Sequence, residues 1–356
     1  MALHPYRGLP PAQFWNTATS AAAEGAFDLA QPAKLTIGPA DKVATAGSCF
    51  AQHIARTLAA SGYSYLQTEP PAVAGEPAFS ARYGNIYTPR QLGQLMAEAF
   101  GLRTPRTRAW RRPDGRFIDP LRPQLFPEGF ATAEDVVNAR LFHLLAVRRL
   151  LQECQVFVFT LGLTEAWLAA DGTCLPVPPG ALETDDPAGE ARFHNFTAAE
   201  LSRDMDQFVR DLKAINPTAR VVLTVSPVPM VATYEQRNVI VSNSYSKAAL
   251  RVTAEDMQRT HAHVAYFPAY EIITAPQAGN RYFEADLRQV TAEGVDLVMR
   301  LFAQHIMQRD GGAEVVVAPV RVAKPSAAVR QGFEAKAAVL CDDEVLEKRE
   351  RRVSQV

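Results

Sequence analysis

Asp41-Lys-Val-Ala-Thr-Ala-Gly-Ser-Cys-Phe50 is the stretch that decides the fold. An apolar run ends at Gly47. From there Phe50, Ile54 and Leu58 recur at helical spacing through Ala51 to Ser61, and Gly62 follows as a C-terminal cap. The stretch reads as strand, tight turn, helix. Downstream, Gln155-Val-Phe-Val-Phe-Thr160, Arg220-Val-Val-Leu-Thr-Val225 and the shorter His263-Val-Ala-Tyr-Phe267 are continuous apolar runs of the kind buried on both faces of a parallel sheet. Helical patterns separate them: Pro89 to Phe100, Ala133 to Gln152, a capping box at Thr197 and Glu200 opening a helix to Ile215, Ser244 to Arg259, and Thr291 to Gln308. Four strands alternating with helices predict right-handed βαβ crossovers, hence an α/β fold: a three-layer α/β/α sandwich around a mainly parallel sheet.

Residues 1–35 form an irregular leader whose Pro5, Tyr6, Phe14 and Trp15 suggest an apolar strap across the body. The body runs over 36–310 and carries an insertion at 101–130, with seven arginines (Arg103, Arg106, Arg108, Arg111, Arg112, Arg116 and Arg122) among five prolines. Asp171 to Ala191, rich in Pro, Gly and acidic residues, reads as a loop, and 311–356 reads as an appended tail that offers a surface to a protein partner. The 356 residues hold 37 Lys+Arg against 38 Asp+Glu, a net charge of −1, which argues against nucleic acid as the partner. With 47% hydrophobic and 21% charged residues the composition is that of a globular protein with a large core. No run approaches the roughly 18 to 20 apolar residues of a membrane span, and Met1 to Trp15 lacks an apolar signal core, so a cytoplasmic location is expected. Cys49, Cys154, Cys174 and Cys341 show neither a disulfide framework nor metal-ligand spacing. No phosphate-binding glycine loop follows a strand, and neither cofactor nor metal is expected.

In such a sheet ligands bind at the carboxyl ends of the strands. The candidates there are Ser48 and Cys49, Gly84 and Asn85, Gly162, Thr164 and Glu165, Ser226, Glu271 and the Asp286 loop. Ser48 and Cys49 stand out, because a nucleophile at a strand-to-helix turn meets backbone N–H groups and the positive helix end. The bland alternative is that Ser48 caps the helix and Cys49 is a small buried hydrophobe. His53, four residues after Cys49, forms a Cys–His pair at helical spacing or lies on the polar side of a surface helix. His194 precedes a helix and can reach the site from a loop, whereas His143, between apolar neighbours, reads as a core histidine. Lys247 and Arg251, one turn apart, suit an acidic substrate group or a solvated face. The arginine-rich insertion can gather an anion or pair with the Glu183–Glu190 loop.

Gly47-Ser-Cys-Phe-Ala51 resembles the signature of the GSCFA family, an offshoot of the SGNH/GDSL hydrolases. His4-Pro-Tyr6, Phe157 to Trp167, Thr224-Val-Ser-Pro227, Tyr245-Ser-Lys247 and Phe267 to Glu271 are similar to further family segments, so the resemblance spans roughly residues 4–308. It implies an SGNH-like, flavodoxin-like three-layer fold and no known substrate. In the superfamily's register Cys49 stands at the serine position and Ser48 at the aspartate position. Gly84 corresponds to the second-block glycine, Gly162-Leu-Thr164 to the third block with Thr164 in place of asparagine, and Asp286-Leu-Arg-Gln289 to the fourth block with Gln289 in place of the base histidine. Glutamine cannot take a proton at neutral pH. Two functions therefore stand: a hydrolase or acyltransferase acting on an ester, such as an O-acyl group of a glycan, or a binding or assembly module that keeps the pocket without the base.

Overall fold

The computed structural model describes residues 4–18, 28–30, 34–70, 79–178, 180–182, 184 and 191–308. In chain order its regular elements begin with β1 (Val43–Gly47), α1 (Ala51–Ala60), α2 (Pro89–Ala99), β2 (Trp110–Arg111), β3 (Phe117–Ile118), α3 (Ala133–Glu153) and β4 (Val156–Leu161). There follow β5 (Glu165–Leu168), β6 (Cys174–Leu175), β7 (Arg192–Asn195), α4 (Ala198–Ile215), β8 (Arg220–Val225), α5 (Val239–Thr260), β9 (Val264–Phe267), α6 (Ala269–Thr274) and α7 (Ala292–Ile306).

The central sheet is parallel throughout, in the order β1-β4-β8-β9. On the outer side of β1 the chain returns after α1, where Val43 donates to the Ser64 carbonyl at 2.9 Å and its own carbonyl accepts from Leu66 at 2.8 Å, a parallel bridge centred on Tyr65. After α1 the chain thus passes to one side of β1, and after α3 to the other. The winding direction reverses between β1 and β4, which makes that gap the topological switch point, where doubly wound sheets open their ligand crevice.

Side-chain alternation along β4 builds the layers. Phe157, Phe159 and Leu161 face a core shared with Leu92 of α2, Leu150 of α3, Phe208 of α4 and Leu250 of α5. Val156 and Val158 face the opposite core, with Ile54 of α1, Ile272 of α6 and Phe302 of α7. Fully burying one such side chain contributes about 1.5–3 kcal/mol, so the two cores fix which helix covers which face. The three-layer α/β/α sandwich is the architecture observed. A three-stranded antiparallel sheet, β6-β5-β7, sits beyond the end of β4.

Several expectations need correction. Tyr6 and Trp15 are 62% and 73% exposed, so these aromatic residues form no apolar strap; residues 10–13 turn on local bonds such as Gln13 N–H to the Pro10 carbonyl. The body-facing part is Ala30, Leu35 and Ile37, buried in the second core. Helix α5 starts at Val239, five residues before Ser244, because the Asn238 side chain accepts from the Ile240 N–H and caps it there. The 171–191 segment contains β6 and is not wholly loop. The 311–356 tail lies outside the described residues, as do most of 183–190 and parts of 1–35.

The arginine-rich insertion is bound to the body by ion pairs. Arg122, 3% exposed, pairs with Asp119 at 2.8 Å, and Arg140 of α3 pairs with Glu98 of α2 at 2.7 Å and with Asp119 at 3.4 Å. Burial alone would raise the Asp119 carboxyl, but Arg140 and Arg122 outweigh it and hold it below the usual range. Arg103 reaches Thr173 and Asp171, Arg112 pairs with Asp114, and Arg116 donates to the carbonyls of Glu128 and Gly129. These guanidinium groups fasten a loop, and the anion-gathering reading is set aside for them.

His143 is buried in this network, with Nδ1 2.6 Å from Glu69. Burial, reinforced by Arg122, lowers its pKa to about 4 despite that carboxylate; burial and then Arg56 do the same to His53, also to about 4. Both rings are neutral when folded, while the unfolded chain protonates them near 6.5. Their contribution is therefore complete above about pH 6.5 and lost as pH falls towards 4. Thermal melts should show Tm dropping across that window, and His143→Gln should flatten part of the drop; an unchanged profile in that variant removes His143 from the account.

Candidate functional site

The switch point is built around one glycine. Gly47 ends β1 with φ +133°, and a Cβ there would lie 2.6 Å from the backbone nitrogen of Thr160 on β4. No other residue type fits that approach. Ser48 then donates its N–H to the Thr160 carbonyl at 3.0 Å, and Gly47 accepts from the Ile86 N–H at 2.9 Å, which draws the 84–87 segment against the turn. Helix α1 starts three residues later with its positive end at the turn. Ser48 is 2% exposed and Cys49 4%, both closed off from bulk water.

Gly162, just past β4, is the second narrow point. A Cβ on it would lie 2.7 Å from the Tyr87 ring and 3.3 Å from the Ser48 Cβ, so this glycine is wedged between the two. Its N–H is held by the Tyr87 carbonyl at 2.9 Å, and its carbonyl accepts from Lys247 Nζ at 2.8 Å. Lys247 is 2% exposed and contacts the site from α5; it does not belong to a solvated face. Arg251 pairs with Glu255 and Glu271 and covers the Tyr266 ring at 4.2 Å, so it is occupied structurally.

Beside Ser48 lies a row of buried polar groups. Thr160 on β4 and Thr224 on β8 are register partners, and Thr160 is also the partner of Gly47, which puts both threonines on the face covered by α1. Ser48 Oγ, both side-chain polar atoms of Gln52, Thr160 Oγ1 and Thr224 Oγ1 have no hydrogen-bond partner among the described residues. Each such group costs about 1–3 kcal/mol if nothing meets it, and Thr160 and Thr224 lie side by side in register near the carboxyl ends of their strands. The sequence contains a signal for two of them, since both long apolar strands carry threonine near their carboxyl ends. For Gln52, one turn into a buried helix, there is none.

The remaining candidates fall into three places. Thr164, fully buried, donates its hydroxyl to Asn195 at 2.7 Å and its N–H to Ser246 at 3.0 Å, and with the Gly162 N–H also engaged, neither is directed at Ser48 in this state. Gly84, with φ +70°, and the buried Asn85 precede the strap at Ile86. Glu165 accepts from Thr233 and from the Tyr234 N–H at 3.0 Å. His194 bonds Glu200 at 2.9 Å on the antiparallel sheet. His53, neutral and a weak base at its lowered pKa, lies against Phe50. Asp286 and Gln289 are exposed; Asp286 accepts the backbone N–H groups of Arg288 and Gln289 at 2.9 and 3.0 Å.

A cleft of about 500 Å3 is lined by Tyr87 and by Leu163, the residue after Gly162, with Trp167, Val177, Met230 and Tyr234 among its other walls. No group of three or more potential metal-ligating side chains occurs among the described residues. None of their helices is long and apolar enough to cross a membrane.

These features define a doubly wound α/β protein with a serine–cysteine turn and a buried lysine at the switch point. Residues 42–302 match the family model for the GSCFA family, and the chain belongs to that family. No curated protein matches it.

If the threonine hydroxyls are held for function at the expense of stability, Thr224→Val should raise unfolding free energy by about 1 kcal/mol or more. Denaturant titration checks this, and a loss of similar size would show that the hydroxyl is satisfied in the folded protein.

Proposed function

We propose that the protein is an SGNH-related enzyme acting on an ester, as a hydrolase or acyltransferase, with Ser48 as nucleophile. The observation that carries this reading is the buried Ser48 hydroxyl, with no hydrogen-bond partner among the described residues, just past the carboxyl end of β1 and close to Gly162. In the proposed step Ser48 Oγ bonds the acyl carbon, the ester C–O bond breaks, and the serine proton ends on the departing oxygen. Water, or an acceptor alcohol, then takes the acyl group and restores the hydroxyl. Lys247 is the titratable group set against the same glycine, and it is the candidate for the proton-handling role that a histidine has in SGNH enzymes. Cys49, next along the turn, is the alternative nucleophile.

A second reading is favoured by one specific observation. Gln289, which the resemblance aligns with the superfamily's base histidine, is exposed, and Asp286 is engaged in its own turn, which suits a module that binds without turnover.

A fluorophosphonate probe and an iodoacetamide probe, applied separately with the labelled residue mapped by mass spectrometry, distinguish the readings. Saturable fluorophosphonate labelling at Ser48 is expected, lost in Ser48→Ala, kept in Cys49→Ala, and slowed at least tenfold in Lys247→Met. In His53→Gln the pH dependence of labelling should stay unchanged. Alkylation at Cys49 with no reaction at Ser48 would move the nucleophile by one residue. Absence of reaction at both, in folded protein, favours the binding module.

A further inference from the structure

The cleft beside Leu163 has walls of a particular chemistry. Leu163, Leu175, Val177, Met230, Val231 and Ala232 present aliphatic surface, and Trp167 and Tyr234 add aromatic surface, their rings meeting edge to face with centroids 4.9 Å apart. Its volume of about 500 Å3 lies within the roughly 300–1,000 Å3 range of small-molecule sites. The acid in the wall and the oxygen of its amide are already engaged. Both Glu165 oxygens accept from the Thr233–Tyr234 turn, and Gln91 Oε1 accepts from the N–H groups of Tyr87 and Thr88. No lysine, arginine or histidine is among the described residues of the wall.

A sugar ring here would have to find partners for its hydroxyls in a wall that is mostly carbon, and a phosphate or carboxylate would meet Glu165 with no cation among the described wall residues to balance it. An alkyl chain meets neither obstacle, because it asks the wall only for apolar area. The cleft also borders the turn. Tyr87 and Leu163 line it, the Tyr87 carbonyl holds the Gly162 N–H, and a Cβ on Gly162 would lie 3.3 Å from the Ser48 Cβ.

We propose that this cleft is an acyl-chain site, which takes the unbranched alkyl part of an uncharged ester and presents its carbonyl to the Ser48 turn. The inference rests on the ester reading for its role in turnover, but not for binding. It places the acyl half of the substrate in the cleft and leaves the alcohol half outside it.

Binding is tested by calorimetry on the full chain with 1-butanol, 1-hexanol and 1-octanol, with methyl glucoside and inorganic phosphate as the polar controls. Affinity should rise about three- to fourfold per added methylene, as burial of each CH2 dictates. Val231→Trp, which fills the cleft, should lower octanol affinity at least tenfold and butanol affinity much less; Ala232→Trp is the second variant should the first not fold. In parallel, p-nitrophenyl esters from acetate to decanoate should show kcat/KM rising with chain length until the cleft is filled, with a shorter optimum in the filled variant. Equal affinity for butanol and octanol, or tighter binding of methyl glucoside or phosphate, overturns the acyl-chain site. Chain-length-dependent alkanol binding with no ester turnover keeps the site and overturns the enzyme reading. Turnover of acetyl esters without alkanol binding does the reverse.

Discussion

The close approach of β1 to β4 at Gly47 and Thr160 is the constraint on which the rest of the site depends. With no Cβ at Gly47 the strands draw together until the Ser48 N–H reaches the Thr160 carbonyl, and only then can the chain turn directly into α1. The same approach brings Gly162 within van der Waals reach of Ser48, because Gly162 lies two residues beyond Thr160. Two glycines thus set two contacts, and the polar residues around them have their positions fixed by backbone. Side-chain packing has little freedom to move them.

A second set of forces operates at a distance from the turn. The network of Glu98, Asp119, Arg122 and Arg140 joins the insertion to α2 and α3, and α2 carries Tyr87 at its entrance through the capping box of Thr88 and Gln91. Buried pairs of this kind add little net stability over an apolar core, but removing one partner leaves a charge uncompensated, so they specify one arrangement of the loop. What reads as a patch of positive charge is in its larger part a set of fastenings.

How much of this was legible depended on whether the signal was local. The apolar runs of β4 and β8 and the capping box of α4 are written in adjacent residues, and the layer architecture follows from them. The antiparallel sheet is not, because β5, β6 and β7 have four, two and four residues and derive their pairing from the tertiary fold. The start of α5 was obscured because Ile240 and Val241 are 72% and 54% exposed, against the periodicity that identifies helices. The serine–cysteine turn could be read directly. Lys247 could be seen but not interpreted, since a lysine on a helix reads as a solvated charge until its partner, 85 residues away, is known. Asp286 is the converse: the residue type suggests a catalytic acid, while its geometry makes it a turn former.

Tyr87 belongs to the cleft and to the turn at once. Its ring packs on Gly162 and lines the cleft, and its carbonyl holds the Gly162 N–H. Ring and carbonyl belong to one residue but answer to different torsions, since χ1 and χ2 turn the ring while the backbone carbonyl stays where it is. The cleft and the Ser48 turn therefore share a footing at position 87, where a substitution redraws the wall and leaves the main-chain acceptor of Gly162 in place.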